Sequence, residues 1–197
     1  MINLKQADLV VREYLKGKSG AEIARMFNCS SDKIYQILKV NHVKARDASA
    51  RLKLKPLSFC YKKTLTVEEK RLETAALMLY LGEGAKTKNT VDLANSDPVI
   101  LRLFVKYLRK ICAVDEQKIR VYLYCFENQN TEGLISFWSR TLRIGKDKFI
   151  KPYIRKIGAS QTRTMKYGVL HIRYNDKRLL EKFLYLCSSI ARKLIEN

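Results

Sequence analysis

A chain of 197 residues, 47% of them hydrophobic, has apolar material for one or two compact cores. Its 39 Lys and Arg against 19 Asp and Glu give a formal charge of +20, which repels itself in a compact state unless a polyanion is the working partner. No stretch approaches the roughly 18–20 uninterrupted apolar residues of a membrane span, no window has a disordered composition, and the N-terminal stretch lacks the apolar run of a signal peptide.

The five cysteines (Cys29, Cys60, Cys112, Cys125 and Cys187) are scattered, with no CxxC and no paired histidines. That spacing argues against structural zinc and for reduced thiols packed as small hydrophobes. His42 and His171 each stand alone and read as surface or groove residues. The expected location is the cytoplasm, nucleoid-associated on DNA, and not secreted.

Residues 1–45 are expected to form a helix-turn-helix domain. Ser19 caps a helix and Glu22 reaches back three positions to complete a capping box. Ala24 is small where two helices approach, and Asn28 tolerates the left-handed turn between them. Ser30 or Ser31 caps the next helix, which buries Ile34, Ile37 and Leu38. Ser31, Asp32, Lys33, Tyr35 and Gln36 then fall where a recognition helix faces the major groove of double-stranded DNA. The run Gly17, Ser19, Glu22-Ile23-Ala24, Phe27, Ser30, Ile34-Tyr35 and Leu38 resembles the helix-turn-helix of resolvase and invertase recombinases. The resemblance covers about 40 residues and implies DNA reading alone, because the catalytic serine domain of those enzymes has no counterpart.

Residues 46–66 are expected as a basic linker. From Val43 to Thr66 the chain holds Lys44, Arg46, Arg51, Lys53, Lys55, Lys62 and Lys63 against Asp47 alone, and Pro56 breaks any continuous helix. Such density suits phosphate contact, for Lys44, Arg46, Arg51 and Lys53 in particular. In the recombinases an arm beside the reader tracks the minor groove, and this segment resembles it in place.

Residues 67–197 read as a second domain. A long helix, VEEKRLETAALMLYLGEG, is followed by the strand TVDLANSD and the helix PVILRLFVKYLRKIC, with Asp97 at its cap and Pro98 at its first position. The strand IRVYLYCFENQN leads to the helix TEGLISFWSRTLRI. KFIKPYIRKI and YGVLHIRYND read as two strands joined by GASQTRTMK, and KRLLEKFLYLCSSIARKLI is a final helix. LANSDPVILRLFVKYL and IRYNDKRLLEKFLYL echo each other as strand, polar turn and helix. The expected class is α+β, an N-terminal all-α domain followed by a mostly antiparallel sheet with helices on one side.

Gly82 and Gly84, near the end of the first helix, each weaken it by about 1 kcal/mol and so call for a packing reason. Glu83 lies between them, with Lys86 and Lys88 beyond. From the bare residues Glu83 reads as a solvated helix-end carboxylate or an ion-pair partner of Lys86.

Ala76-Leu77-Met78-Leu79-Tyr80-Leu81-Gly82-Glu83-Gly84 resembles the signature of the LAGLIDADG homing endonucleases, keeping the apolar spine and the Gly-acid-Gly ending. Met78 and Leu81 depart from it, and a helix follows the first strand directly. The resemblance extends loosely over about 125 residues. It implies a Mg²⁺-dependent DNA endonuclease acting as a homodimer, in which Glu83 and the Gly82 carbonyl hold the divalent cation and Ala76, Leu79 and Gly82 form the dimer interface. It also sets Ser96, in the turn Asn95-Ser96-Asp97, at the place of a water-orienting residue. Arg173 and Lys177 stand at the place of a basic transition-state stabiliser. A twofold dimer implies a palindromic target.

Arg143, Lys146, Lys148, Lys151, Arg155, Lys156, Arg163, Lys166 and Arg173 crowd the last sheet region and suit a saddle over DNA, with Lys151, Arg155 and Lys166 as expected contacts. The interleaved Tyr153, Tyr167 and Tyr174 are expected to pack against helices, and Trp138 to lie in the core. Two rival expectations stand beside the endonuclease: a non-catalytic WhiA-like transcription regulator, of a kind that combines a LAGLIDADG-type domain with a helix-turn-helix in the opposite order, and an intron RNA maturase, in which related folds grip intron RNA.

Overall fold

The computed structural model describes residues 4–47, 50, 54–87, 89–157 and 165–196. The expected contacts Arg51, Lys53 and Arg163, together with Lys88, lie outside the described residues. The chain divides into two compact units, Met1–Leu57 and Ser58–Asn197.

The first unit holds α1 (Leu4–Leu15), α2 (Gly20–Met26) and α3 (Ser31–Val40). Ser19 and Glu22 form the expected capping box: the Ser19 hydroxyl accepts from the Glu22 amide, and the Glu22 carboxylate accepts from the Ser19 amide at 2.7 Å. Asn28 adopts a left-handed φ of 48° in the turn, and Ser30 caps α3. Val10, Tyr14, Ile23, Ala24, Ile34 and Leu38 close the core. Ile23 and Ile34 are wholly shielded, and each contributes about 1.5–3 kcal/mol over an exposed position.

The second unit holds α4 (Val67–Glu83), β1 (Val91–Asn95), α5 (Pro98–Lys110), β2 (Ile119–Phe126), α6 (Thr131–Leu142), β3 (Tyr153–Arg155), β4 (Val169–Tyr174) and α7 (Lys177–Glu196). The sheet order is β1-β4-β2-β3. The β1–β4 and β4–β2 pairs are antiparallel, and β2–β3 is parallel. This is the mostly antiparallel α+β arrangement expected from the sequence. KFIKPYIRKI contributes only a three-residue strand, and that strand lies beside β2 rather than β4. Lys146–Lys148 turns as a short 3₁₀ helix, and Pro152 has no amide to donate to a ladder.

Strand alternation separates two faces. Val91 and Leu93, Ile119, Val121, Leu123 and Cys125, and Leu170, Ile172 and Tyr174 are buried in one core with residues of the four helices, Trp138 and Tyr80 among them. The opposite face carries Asp92 and Ala94, Arg120, Tyr122, Tyr124 and Phe126, and Val169, His171 and Arg173, of which Arg120 is exposed and the others half-buried.

The echo seen in the sequence is a structural one. Asp97 closes β1 into α5 by accepting from the Val99 amide at 2.7 Å, and Asp176 closes β4 into α7 by accepting from the Arg178 amide at 2.9 Å. Asp176 also accepts from the Ser58 hydroxyl at 2.6 Å, while the Tyr174 hydroxyl donates to the Ser58 carbonyl. The segment expected as a linker is therefore divided. Residues 58–66 belong to the second unit, where Phe59 bridges Val114, the Lys62 amide donates to the Ile111 carbonyl at 2.8 Å, and Thr66 caps α4.

Candidate nucleic-acid interface and acidic helix end

In the first unit the second helix of the pair, α3, presents Asp32, Gln36 and Lys39 to solvent, with Ser31 and Lys33 half-buried beside them. Tyr35, expected on the reading face, is instead half-buried against α1 and α2. Its ring meets Tyr14 edge-on at 6.5 Å between centroids. It also packs over Gly20, where a Cβ would fall 2.8 Å from the ring. Arg46, expected to touch the DNA backbone, is folded onto its own unit. Its guanidinium lies 3.9 Å over the Tyr14 ring, it donates to the Lys18 carbonyl, and its amide donates to the Tyr14 hydroxyl at 2.8 Å. Lys44 is exposed, as a phosphate contact requires. Lys62, another of the linker cations, is held 2.8 Å from the buried Glu69, whose second cation is Lys110 at 3.7 Å.

In the second unit the open sheet face forms a cleft of about 390 Å³ lined by Thr87, Thr90, Asp92, Tyr122, His171 and Arg173, among others. Asp92 on β1 is its hub. Arg173 Nε donates to Oδ2 of Asp92 at 2.6 Å, and His171 Nδ1 lies 3.0 Å from Oδ1. The Arg173 guanidinium also lies 4.1 Å over the Tyr122 ring, and His171 meets Tyr124 edge-on at 4.6 Å. Burial acts to raise the Asp92 carboxyl, but the hydrogen bonds and charges of His171 and Arg173 outweigh it and hold the group below the usual carboxylate range. The cluster of Asp92, Tyr122, His171 and Arg173 comes together only through the pairing of β4 with β1 and β2. Its traces in the sequence are a lone acid between the buried Val91 and Leu93, and His171 and Arg173 two apart on one strand face.

The acidic helix end adjoins this face. α4 runs into β1 through a bridge between Gly84 and Leu93 and through the Ala85 amide, which donates to the Asp92 carbonyl at 2.9 Å. The Tyr80 hydroxyl donates to the Ala85 carbonyl at 2.5 Å and fixes the turn. Gly84 is required here, because a Cβ would lie 2.6 Å from the Tyr80 carbonyl oxygen. Gly82 is different: nothing lies within 4 Å of where its Cβ would be. Glu83 is exposed and pairs with no described residue, Lys86 included.

The other expected site residues scatter. Ser96 is half-buried in the turn before α5, and Lys177 opens α7, exposed and 3.5 Å from Glu181. Lys151 and Arg155 are exposed near β3, and Lys166 is exposed with its ammonium 5.1 Å from the Tyr167 ring centre. Ala76, expected at a dimer interface, is fully buried in the core of its own unit, whereas Leu79 is half-buried and Gly82 exposed. Tyr153, expected against a helix, is exposed and meets Tyr124 edge-on at 5.3 Å instead.

The described residues contain no cluster of three His, Cys, Asp or Glu side chains placed to hold a metal, and no helix long and apolar enough to cross a membrane. One carboxylate and one last-turn carbonyl are nonetheless a donor set of the kind Mg²⁺ accepts alongside waters and substrate phosphates. The Gly82 carbonyl has no amide of its own helix four residues on to pair with.

The class of the first unit follows from its capped helix pair and exposed second helix: it is a helix-turn-helix domain. A family model described as a helix-turn-helix domain matches residues 9–52, which makes DNA the indicated partner. No curated protein and no solved structure matches the chain.

Proposed function

We propose that the chain is a site-specific endonuclease of double-stranded DNA, acting as a Mg²⁺-dependent homodimer. The first unit reads one part of the target through α3. The second lays its open sheet face on the duplex and brings Glu83 to the scissile phosphate. The observation that carries this reading is the Glu83 carboxylate at the end of α4, exposed and without a partner among the described residues, on a helix end joined to the strand that bears Asp92. A net charge of +20 supplies the sequence-independent grip on phosphate.

Glu83 and the Gly82 carbonyl would hold the cation, and bound Mg²⁺ would supply charge neutralisation and an activated water. The chain's own residues do the rest. Gly84 and Tyr80 lock the helix end against β1 and so fix where the Glu83 carboxylate stands. The bare surface at Gly82 lets a second α4 approach closely, and that approach would supply the second carboxylate.

The test is cleavage of a randomised duplex library by the full chain with Mg²⁺, wild type beside Glu83→Gln. Cleavage at discrete sites by the wild type, with Glu83→Gln binding the same sites uncut, supports the reading. Tight, selective binding without scission under any divalent cation overturns the nuclease and leaves a DNA-binding regulator. Preference for structured RNA over duplex DNA favours the maturase instead.

A further inference from the structure

We propose that Arg173 is a guanine reader on the open sheet face, with its guanidinium set in place by Asp92 and Tyr122. This rests on the reading that the open face lies on duplex DNA. An arginine side chain is a long, flexible stem, and most of the cost of using it for recognition is the entropy of holding its fork still. Here that cost is met within the fold. Nε is committed to Asp92 Oδ2 at 2.6 Å, and the guanidinium carbon is seated 4.1 Å over the Tyr122 ring. With Nε held from behind by Asp92 and one flat side covered by Tyr122, whose side chain also hydrogen-bonds the guanidinium, the remaining outer edge is the part offered to a ligand. A guanine presents O6 and N7 as paired acceptors in the major groove, the arrangement such an edge matches.

The alternatives at this cleft are weaker. Asp92 is the poorer reader, because its carboxylate is turned to its own fold, with Oδ1 against His171 and Oδ2 accepting from Arg173. Arg120, the register neighbour of Arg173 on β2, donates to the Gln117 and Ile119 carbonyls instead. A phosphate would also accept an arginine fork. But β4 is an inner strand, flanked by β1 and β2. On the reading that the sheet face lies in a major groove, an inner strand is the one placed nearest the base edges that the groove displays. Asp92 is thus a positioning residue, and Tyr122 the platform.

The experiment is selection of binding sites from a randomised duplex pool by the full chain, with sequencing of bound DNA, for wild type, Arg173→Lys, Arg173→Gln and Asp92→Asn. In the wild type, guanine is expected to be favoured roughly 10- to 100-fold at one position, or at two related by symmetry. Arg173→Lys loses most of that preference, Arg173→Gln moves it toward adenine, and Asp92→Asn weakens it while the first unit's preferences stay intact. An unchanged profile in the Arg173 variants overturns the proposal. So does a uniform loss of affinity across all sequences, which is the signature of a phosphate contact. Unaltered guanine reading in a chain that never cuts removes the nuclease and keeps the reader. Cutting that survives with no guanine dependence removes the reader and keeps the nuclease.

Discussion

Asp92 and Arg173 stand opposite each other across the β1–β4 ladder, 81 positions apart in sequence, and meet through a 2.6 Å hydrogen bond between Oδ2 and Nε. Folding depresses the Asp92 carboxyl, and the same direction holds for Asp176 and Glu69. At Asp176 burial works the other way, but the hydrogen bonds of Ser58 and Arg178 prevail; at Glu69 the hydrogen bond from Lys62 leads. Each folded-state pKa lies below its unfolded value, so the ionised form favours folding. The stabilisation is complete above the unfolded values near pH 4 and disappears as pH falls through the folded ones. Urea midpoints measured from pH 7 down to pH 2.5 are expected to hold steady until about pH 5 and then drop. A midpoint that does not move below pH 4 contradicts the assignment.

Asp176 does two things at once, capping α7 and anchoring Ser58. Asp176→Ala is expected to cost about 2 kcal/mol, more than an ordinary cap of about 1 kcal/mol, because the Ser58 hydroxyl also loses its acceptor. Ser58→Ala alone is expected to cost about 1 kcal/mol. Equal losses in the two variants, read by urea denaturation, argue against the shared role.

The two glycines flanking Glu83 are expected to respond in opposite ways. Gly84→Ala forces a Cβ to 2.6 Å from the Tyr80 carbonyl oxygen and is expected to destabilise by about 2 kcal/mol. Gly82→Ala meets nothing and removes helix-interior glycine entropy, so the isolated chain is expected to gain about 0.5–1 kcal/mol. If a second α4 packs there, the same variant loses self-association, measured by sedimentation. Unchanged self-association in Gly82→Ala removes Gly82 from the interface.

Arg46 and Lys44 separate structural from phosphate-binding cations. Arg46→Ala is expected to lower the stability of the first unit by about 1–2 kcal/mol, through its contacts with Tyr14 and Lys18. Lys44→Ala is expected to leave stability alone and reduce the slope of log affinity against log salt by about 1. The reverse assignment of effects would return Arg46 to the DNA backbone.

What was legible in the sequence was mostly local. The Ser19–Glu22 box, the Asn28 turn, the Asp97-Pro98 start of α5 and the strand alternation each depend on residues within a few positions, and each is realised. What stayed hidden depends on contacts across the fold. Asp92 meets His171 and Arg173 only because β1 pairs with β4. Residues 58–66 looked like free linker because Asp176, which holds Ser58, lies 118 positions away. Tyr35 and Arg46 passed for reading residues because surface helix positions and basic loops look alike until Gly20 and Tyr14 are placed beside them. Ala76 had the small size of an interface residue, and the core of its own unit used that size first.

The most direct measurement is scission of an end-labelled duplex carrying a selected site, at protein concentrations where wild type and Glu83→Gln are both fully bound. Mg²⁺ is expected to give discrete cuts on both strands with the wild type, none with EDTA, and at least a thousandfold slower cutting with Glu83→Gln. Equal rates for the two proteins, or a fully bound wild type that leaves the duplex whole with every divalent cation tried, would contradict the placement of a cleavage centre at the end of α4.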